Sequence, residues 1–143
     1  MVDPAKSIAV EWLKRDEGLR LFPYQCTAGK VTIGYGRNLE DNGISEFEAE
    51  QMLVSDVRVA TQDARKFVGE DVWAELDEWR QACLINMAFN LGLPTLKKFE
   101  KFRQALEDKD WEQASVEMLD SRWADQVGAR ATRLAKVIAE GRL

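Results

Sequence analysis

Three residues near the N-terminus are of types that could do chemistry together: a carboxylic acid at Glu17, a thiol at Cys26 and a hydroxyl at Thr32. They lie in the run Glu17-Gly-Leu-Arg-Leu-Phe-Pro-Tyr-Gln-Cys26-Thr-Ala-Gly-Lys-Val-Thr32-Ile-Gly-Tyr-Gly36. An acid that donates a proton, facing two groups that hold or activate a water, is the equipment of a hydrolase. Each residue also has a plainer explanation. Glu17 has thirteen other glutamates for company, and by spacing alone an ordinary surface glutamate is the better account of it. Cys26 could be a thiolate base, a perch for water or a small buried side chain. Thr32 could hold a water or serve strand propensity. The chain has no histidine, which excludes histidine-based acid–base, triad and metal chemistry. No rival constellation occurs, and neither a cofactor nor a metal site is expected.

The elements that must position these groups can be read locally. Asp3 caps and Pro4 opens a first helix to Arg15, with Ile8, Val10, Trp12 and Leu13 as its apolar contacts. Glu17 then follows a helix C-terminus, where the negative end of the helix dipole favours the proton-bearing form that a general acid needs. From Gly18 to Gly36 the pattern changes to period two, with Ala28-Gly29 as a turn and Pro23 marking an edge strand. Val31, Ile33 and Tyr35 should cover a small hydrophobic patch, and Thr32 should face away from it. Ser45-Glu-Phe-Glu48 is a capping box opening a long, partly exposed helix to about Val68. A second stretch runs from about Asp71 to Phe89 as a central helix, which Gly92 and Pro94 close. Shorter helices follow near Lys97–Glu107, Trp111–Met118 and Ser121–Gln126, and a last one spans Ala129–Glu140. Cys83, in the apolar run Ala82 to Phe89, reads as a buried hydrophobe, so no disulfide framework is implied. The expected class is α+β, mainly α.

At 143 residues, 45% apolar and 31% charged, the chain has the size and composition of one globular domain, or one domain with two lobes. Its net charge of −5 argues against nucleic acid as a partner. Arg122, Arg130, Arg133, Lys136 and Arg142 could form a basic C-terminal face or a merely solvated one. No signal peptide or long apolar stretch is read, so a soluble cytosolic product without a membrane segment is expected.

The chain resembles the phage-type lysozymes, the endolysins of T-even and lambdoid phages (glycoside hydrolase family 24). Their signature is Glu, eight residues, Asp or Cys, five residues, Thr, and Glu17, Cys26 and Thr32 fit it. Asp16 to Leu21, Tyr24, Thr32 to Gly36, Ile85-Asn-Met-Ala-Phe-Asn-Leu-Gly92, Ser121-Arg-Trp123, Gln126 and Arg130 match as well, so the similarity spans nearly the whole chain. It implies a single lysozyme catalytic domain over residues 1–143. The parts would be a β lobe at about 16–45, a connecting helix at about 46–68, and a helical lobe at about 69–143 on which the helix 4–15 packs. An active-site cleft would lie between the lobes.

The implied activity is hydrolysis of the β-1,4 bond between N-acetylmuramic acid and N-acetylglucosamine in peptidoglycan. Glu17 would protonate the leaving oxygen, while Cys26 and Thr32 hold the attacking water, with inversion at the anomeric carbon. Phe89 and Asn90 would line the cleft. Arg130 would lie near the acid, where a guanidinium favours the ionised carboxylate and so opposes the dipole. Trp123 reads as packing. The T-even enzymes have aspartate where this chain has Cys26, which leaves base, nucleophile and water-positioning group as the alternative roles of the sulfur, and histidine where it has Arg37. Asn38, Phe102 and Glu117 stand where some relatives place other substrate contacts.

The resemblance further implies an endolysin made in the host cytoplasm, released by a holin to act in the periplasm, and working as a monomer on glycan strands. A lytic transglycosylase would cleave the same bond without water, which leaves Cys26 and Thr32 without work. A wall-binding module that has lost catalysis would not need all three motif positions.

Overall fold

The computed structural model describes residues 3–142. The chain divides into two compact units, Met1–Gln51 and Met52–Leu143. Helix makes up 71% of the structure and the only sheet among the described residues is small and antiparallel, so the fold is α+β and mainly α.

In the first unit, helix α1 (Pro4–Glu17) is capped by the Asp3 carboxylate, which accepts from the Ala5 N–H, and has Pro4 in its first turn. It runs two residues beyond the expected end, because the stop is Gly18: at φ +71° this residue turns the chain out and donates its N–H to the Lys14 carbonyl. Glu17 is therefore the last helical residue. The sheet has the order β1 (Arg20–Gln25), β2 (Val31–Gly34), β3 (Arg37–Asn38). Tyr24 pairs with Thr32, and Thr32 with Asn38, so Thr32 sits on the central strand. Pro23 lies on the edge strand β1, where the register slips between Arg20 and Tyr24, as a residue without an N–H requires.

Alternation along β2 is present, but its burial differs from the expected one. Val31 and Ile33 are only half-buried and Tyr35 is exposed, while Thr32 is 3% exposed. The hydroxyl-bearing face is the covered one, and Thr32 is the one buried residue among those described in this unit. A two-residue β3 and a four-residue β2 are too short to lay a hydrophobic patch over a second layer.

Helix α2 (Leu39–Asn42), unforeseen, is capped by Asn38. Helix α3 (Glu46–Val68) opens with the expected reciprocal box: Glu48 N–H donates to Ser45 Oγ at 3.1 Å and Ser45 N–H to Glu48 Oε1 at 2.9 Å. Its buried residues, Ala60, Ala64, Phe67 and Val68, fall in its C-terminal half, within the second unit.

The central stretch is two helices rather than one. Helix α4 (Glu70–Glu75) ends at Leu76, which is extended, and Asp77 starts α5 (Glu78–Leu91) by accepting the Arg80 N–H at 3.0 Å. Gly92 closes α5 as expected, but Pro94 opens a short helix, α6 (Leu93–Leu96), because proline fits a first helical turn. Lys97–Phe99 is turn, and α7 spans Glu100–Glu107. Then come α8 (Trp111–Leu119), α9 (Arg122–Val127) and α10 (Ala129–Glu140).

The core of this unit is built on Phe102, Leu84, Met87, Leu106, Met118 and Ile138, all essentially inaccessible. Cys83 is buried among them, its thiol reaching the Leu134 carbonyl at 3.1 Å. Arg80 ties α5 to the end of α10. Its guanidinium donates to the carbonyls of Ile138 (2.7 Å) and Ala139 (3.2 Å), pairs with Asp77 and lies 4.0 Å over the Trp111 ring. These carbonyls are the unpaired acceptors of a helix end, so a cation there satisfies both hydrogen bonding and the helix dipole.

Candidate active site

The acid, thiol and hydroxyl all belong to the first unit, and its local chemistry places each one. Glu17 is exposed at the last position of α1, and its carboxylate lies against the turn Gly34-Tyr-Gly36 that links β2 to β3. Both glycines have positive φ, +70° and +75°, so the turn is one that other residues rarely adopt.

Cys26 stands at the start of the β1–β2 turn, half-buried. Its N–H donates to the Lys30 carbonyl at 2.9 Å and its carbonyl accepts from Gly29, at φ +78°, at 2.8 Å. This tight loop turns backbone N–H groups toward the sulfur. Hydrogen bonds from the backbone of Lys30 and then Ala28 hold the Cys26 thiol below its ordinary range, and the slight burial opposes them. The Thr32 side chain lies near the sulfur. Its hydroxyl proton is engaged with the Lys30 carbonyl at 2.9 Å. A hydroxyl has one proton and two lone pairs, so toward the sulfur's side Thr32 is free to act as an acceptor. Among the described residues no hydrogen bond joins Glu17 to Cys26 or Thr32.

Phe89, Asn90 and Arg130 belong to the second unit. Phe89 and Arg130 border one cavity of about 290 Å³ together with Leu53, Val57, Ile85 and Asn86. Asn90 does not line it; its Oδ1 accepts the Trp123 indole N–H at 2.7 Å. Trp123, read as packing, is buried at 4% exposure and packs edge-on to Phe99, and it also fixes Asn90. Arg130 is held by Asn86, whose Oδ1 accepts from Nε at 2.9 Å and from Nη2 at 2.7 Å. Sequence reading missed Asn86. The available signal was an amide inside the otherwise apolar run Leu84 to Ala88, a place where a polar side chain needs a partner. A larger cavity, about 590 Å³, is bordered by Phe99, Phe102, Glu117, Arg122, Trp123 and Gln126.

A mainly helical chain with this small sheet has a lysozyme-like α+β fold. Residues 14–137 match the phage lysozyme family, and the chain belongs to it. Membership makes it a lysozyme, a hydrolase of peptidoglycan. It is 28% identical to probable T4-type lysozyme 2 of Dictyostelium discoideum, across 93% of this chain and 94% of that protein. It is 29% identical to an endolysin of Acyrthosiphon pisum secondary endosymbiont phage 1, across 88% and 84% respectively. It is also 33% identical to the pre-baseplate central spike protein Gp5 of Enterobacteria phage T4. That match takes in 99% of this chain but only 29% of the spike protein. No helix among the described residues is long and apolar enough to cross a membrane.

Proposed function

We propose that this lysozyme is an endolysin that hydrolyses the β-1,4 bond between N-acetylmuramic acid and N-acetylglucosamine with inversion, and that residues 1–143 act as one catalytic domain. Glu17 protonates the leaving glycosidic oxygen. A water donates one hydrogen bond to the Cys26 sulfur and one to Thr32 Oγ1, and its oxygen lone pair attacks the anomeric carbon from the opposite face. The glycosidic C–O bond breaks as the new C–O bond forms, the proton of Glu17 ends on the departing sugar, and the water's proton passes to the thiolate. The observation that carries this reading is the sequestered Thr32 hydroxyl beside Cys26, its proton already committed to Lys30. That commitment leaves an acceptor for water, which hydrolysis needs and transglycosylation does not.

Phe89 would stack against a sugar face. Asn90, its oxygen taken by Trp123, would offer its amide N–H groups to sugar oxygens. Arg130 would pair with an anionic group of the strand. In this reading the enzyme is a monomer, accumulates in the host cytoplasm and reaches the periplasm through a holin.

Digestion of purified sacculi tests the chemistry. Mass spectrometry should find reducing muramic acid ends, and proton NMR of fresh product should show the α anomer first. Ends bearing 1,6-anhydromuramic acid would replace hydrolysis by transglycosylation, and a β anomer would replace inversion by retention.

The match to the T4 spike protein favours a second reading for the setting: the same chemistry carried by a phage particle to open the wall at entry. Immunoblots separate the two. A free lysis enzyme appears in the infected-cell lysate and not in purified virions, whereas a particle component appears in both.

A further inference from the structure

We propose that Gly36 is a positioning residue for the catalytic acid: the absence of a side chain there lets the Glu17 carboxylate lie flat against the β2–β3 turn. The inference rests on the assignment of Glu17 as the acid. A Cβ built on Gly36 would lie 2.9 Å from Glu17 Oε2, 3.2 Å from Cδ and 3.5 Å from Cγ. The first of these is closer than a carbon and an oxygen can stand, so any side chain at position 36 must displace the carboxylate.

Gly34 supplies the control. It sits in the same turn with nearly the same φ, +70° against +75°, yet a Cβ there meets nothing within 4 Å. Backbone conformation alone accounts for Gly34. At Gly36 there is a second demand, and the group that makes it is the end of Glu17. A carboxylate on a flexible stem can swing aside, so a methyl group at Gly36 should cost the fold little more than one at Gly34. The chemistry should suffer, because a reacting group moved by about 1 Å can lose about a hundredfold in rate.

The test compares Gly36→Ala, Gly34→Ala and Glu17→Gln in the full chain, using solubilised peptide-free glycan strands, with thermal unfolding of each protein. The expected result is similar unfolding temperatures for the two alanine variants, kcat down at least about tenfold for Gly36→Ala with KM little changed, and kcat for Gly34→Ala near the parent's. If the two alanine variants lose activity equally while Glu17→Gln is inactive, Glu17 stands as the acid and Gly36 does not position it. If Glu17→Gln keeps normal activity, the acid assignment itself fails and takes the role of Gly36 with it.

Discussion

The indole N–H of Trp123 donates to Asn90 Oδ1 at 2.7 Å, joining the start of α9 to the end of α5. Trp123 is buried and its indole has a single donor, so Asn90 is oriented with its oxygen inward and its NH2 outward. Asn90→Ala would leave that donor unpaired and should cost about 1–2 kcal/mol of unfolding free energy in urea. Trp123→Phe, which removes the donor along with part of the ring, should relieve the need for Asn90. A cycle of the two changes should therefore show coupling of about 1 kcal/mol. Additive effects would show that the bond does not hold Asn90 in solution.

The Arg37–Glu48 pair should make the fold acid-sensitive. Arg37 is bidentate on Glu48, at 2.9 and 2.7 Å, and also donates to the Gly43 carbonyl. The Arg37 hydrogen bonds, then those from the backbone and hydroxyl of Ser45, hold the Glu48 carboxyl down to about 2. Its folded value lies below its unfolded one. The stabilisation is therefore full above the ordinary glutamate range, near about 4.3, and is lost as pH falls from there through about 2. The pair is about 40% exposed, so the effect should shrink in high salt. Urea unfolding between pH 6 and pH 2 should show a steeper acid loss in the parent than in Glu48→Gln. Parallel curves would contradict the pairing.

The two cysteines should behave as different reagents. Backbone hydrogen bonds hold Cys26 below the ordinary thiol range, while burial pushes Cys83 up to about 12. At pH 8, iodoacetamide should modify Cys26 at least about tenfold faster than Cys83, and lysis should be lost in step with the modification of Cys26. Cys83 should react only on unfolding. Cys26→Asp should keep activity, and full activity of Cys26→Ser would show that water needs only a hydrogen-bonding perch.

Much of the frame was legible because the signals are local. Asp3 with Pro4 and Ser45 with Glu48 each read as helix starts and each is one. The break at Leu76 was not legible, since leucine carries no stop signal and Asp77 resembles any surface aspartate until its carboxylate is seen on the Arg80 N–H. Alternation around Thr32 could be read, but not which face would be covered, because burial depends on β1 and β3 flanking it. Asn86 on Arg130 and Gly36 under Glu17 are contacts across 44 and 19 residues, and no local periodicity, cap or turn signal shows which side chains will meet. The glycine pattern advertised a turn and was silent about the carboxylate.

The most direct test of the central claim is the clearing of purified sacculi by the parent and by Glu17→Gln, at matched folded concentrations checked by circular dichroism. The amide keeps the shape of the side chain but has no proton to give. The account predicts a fall of at least about a hundredfold in the initial rate with the fold unchanged. A rate within a factor of about two of the parent's would contradict it, because the proton for the leaving sugar would then have to come from elsewhere.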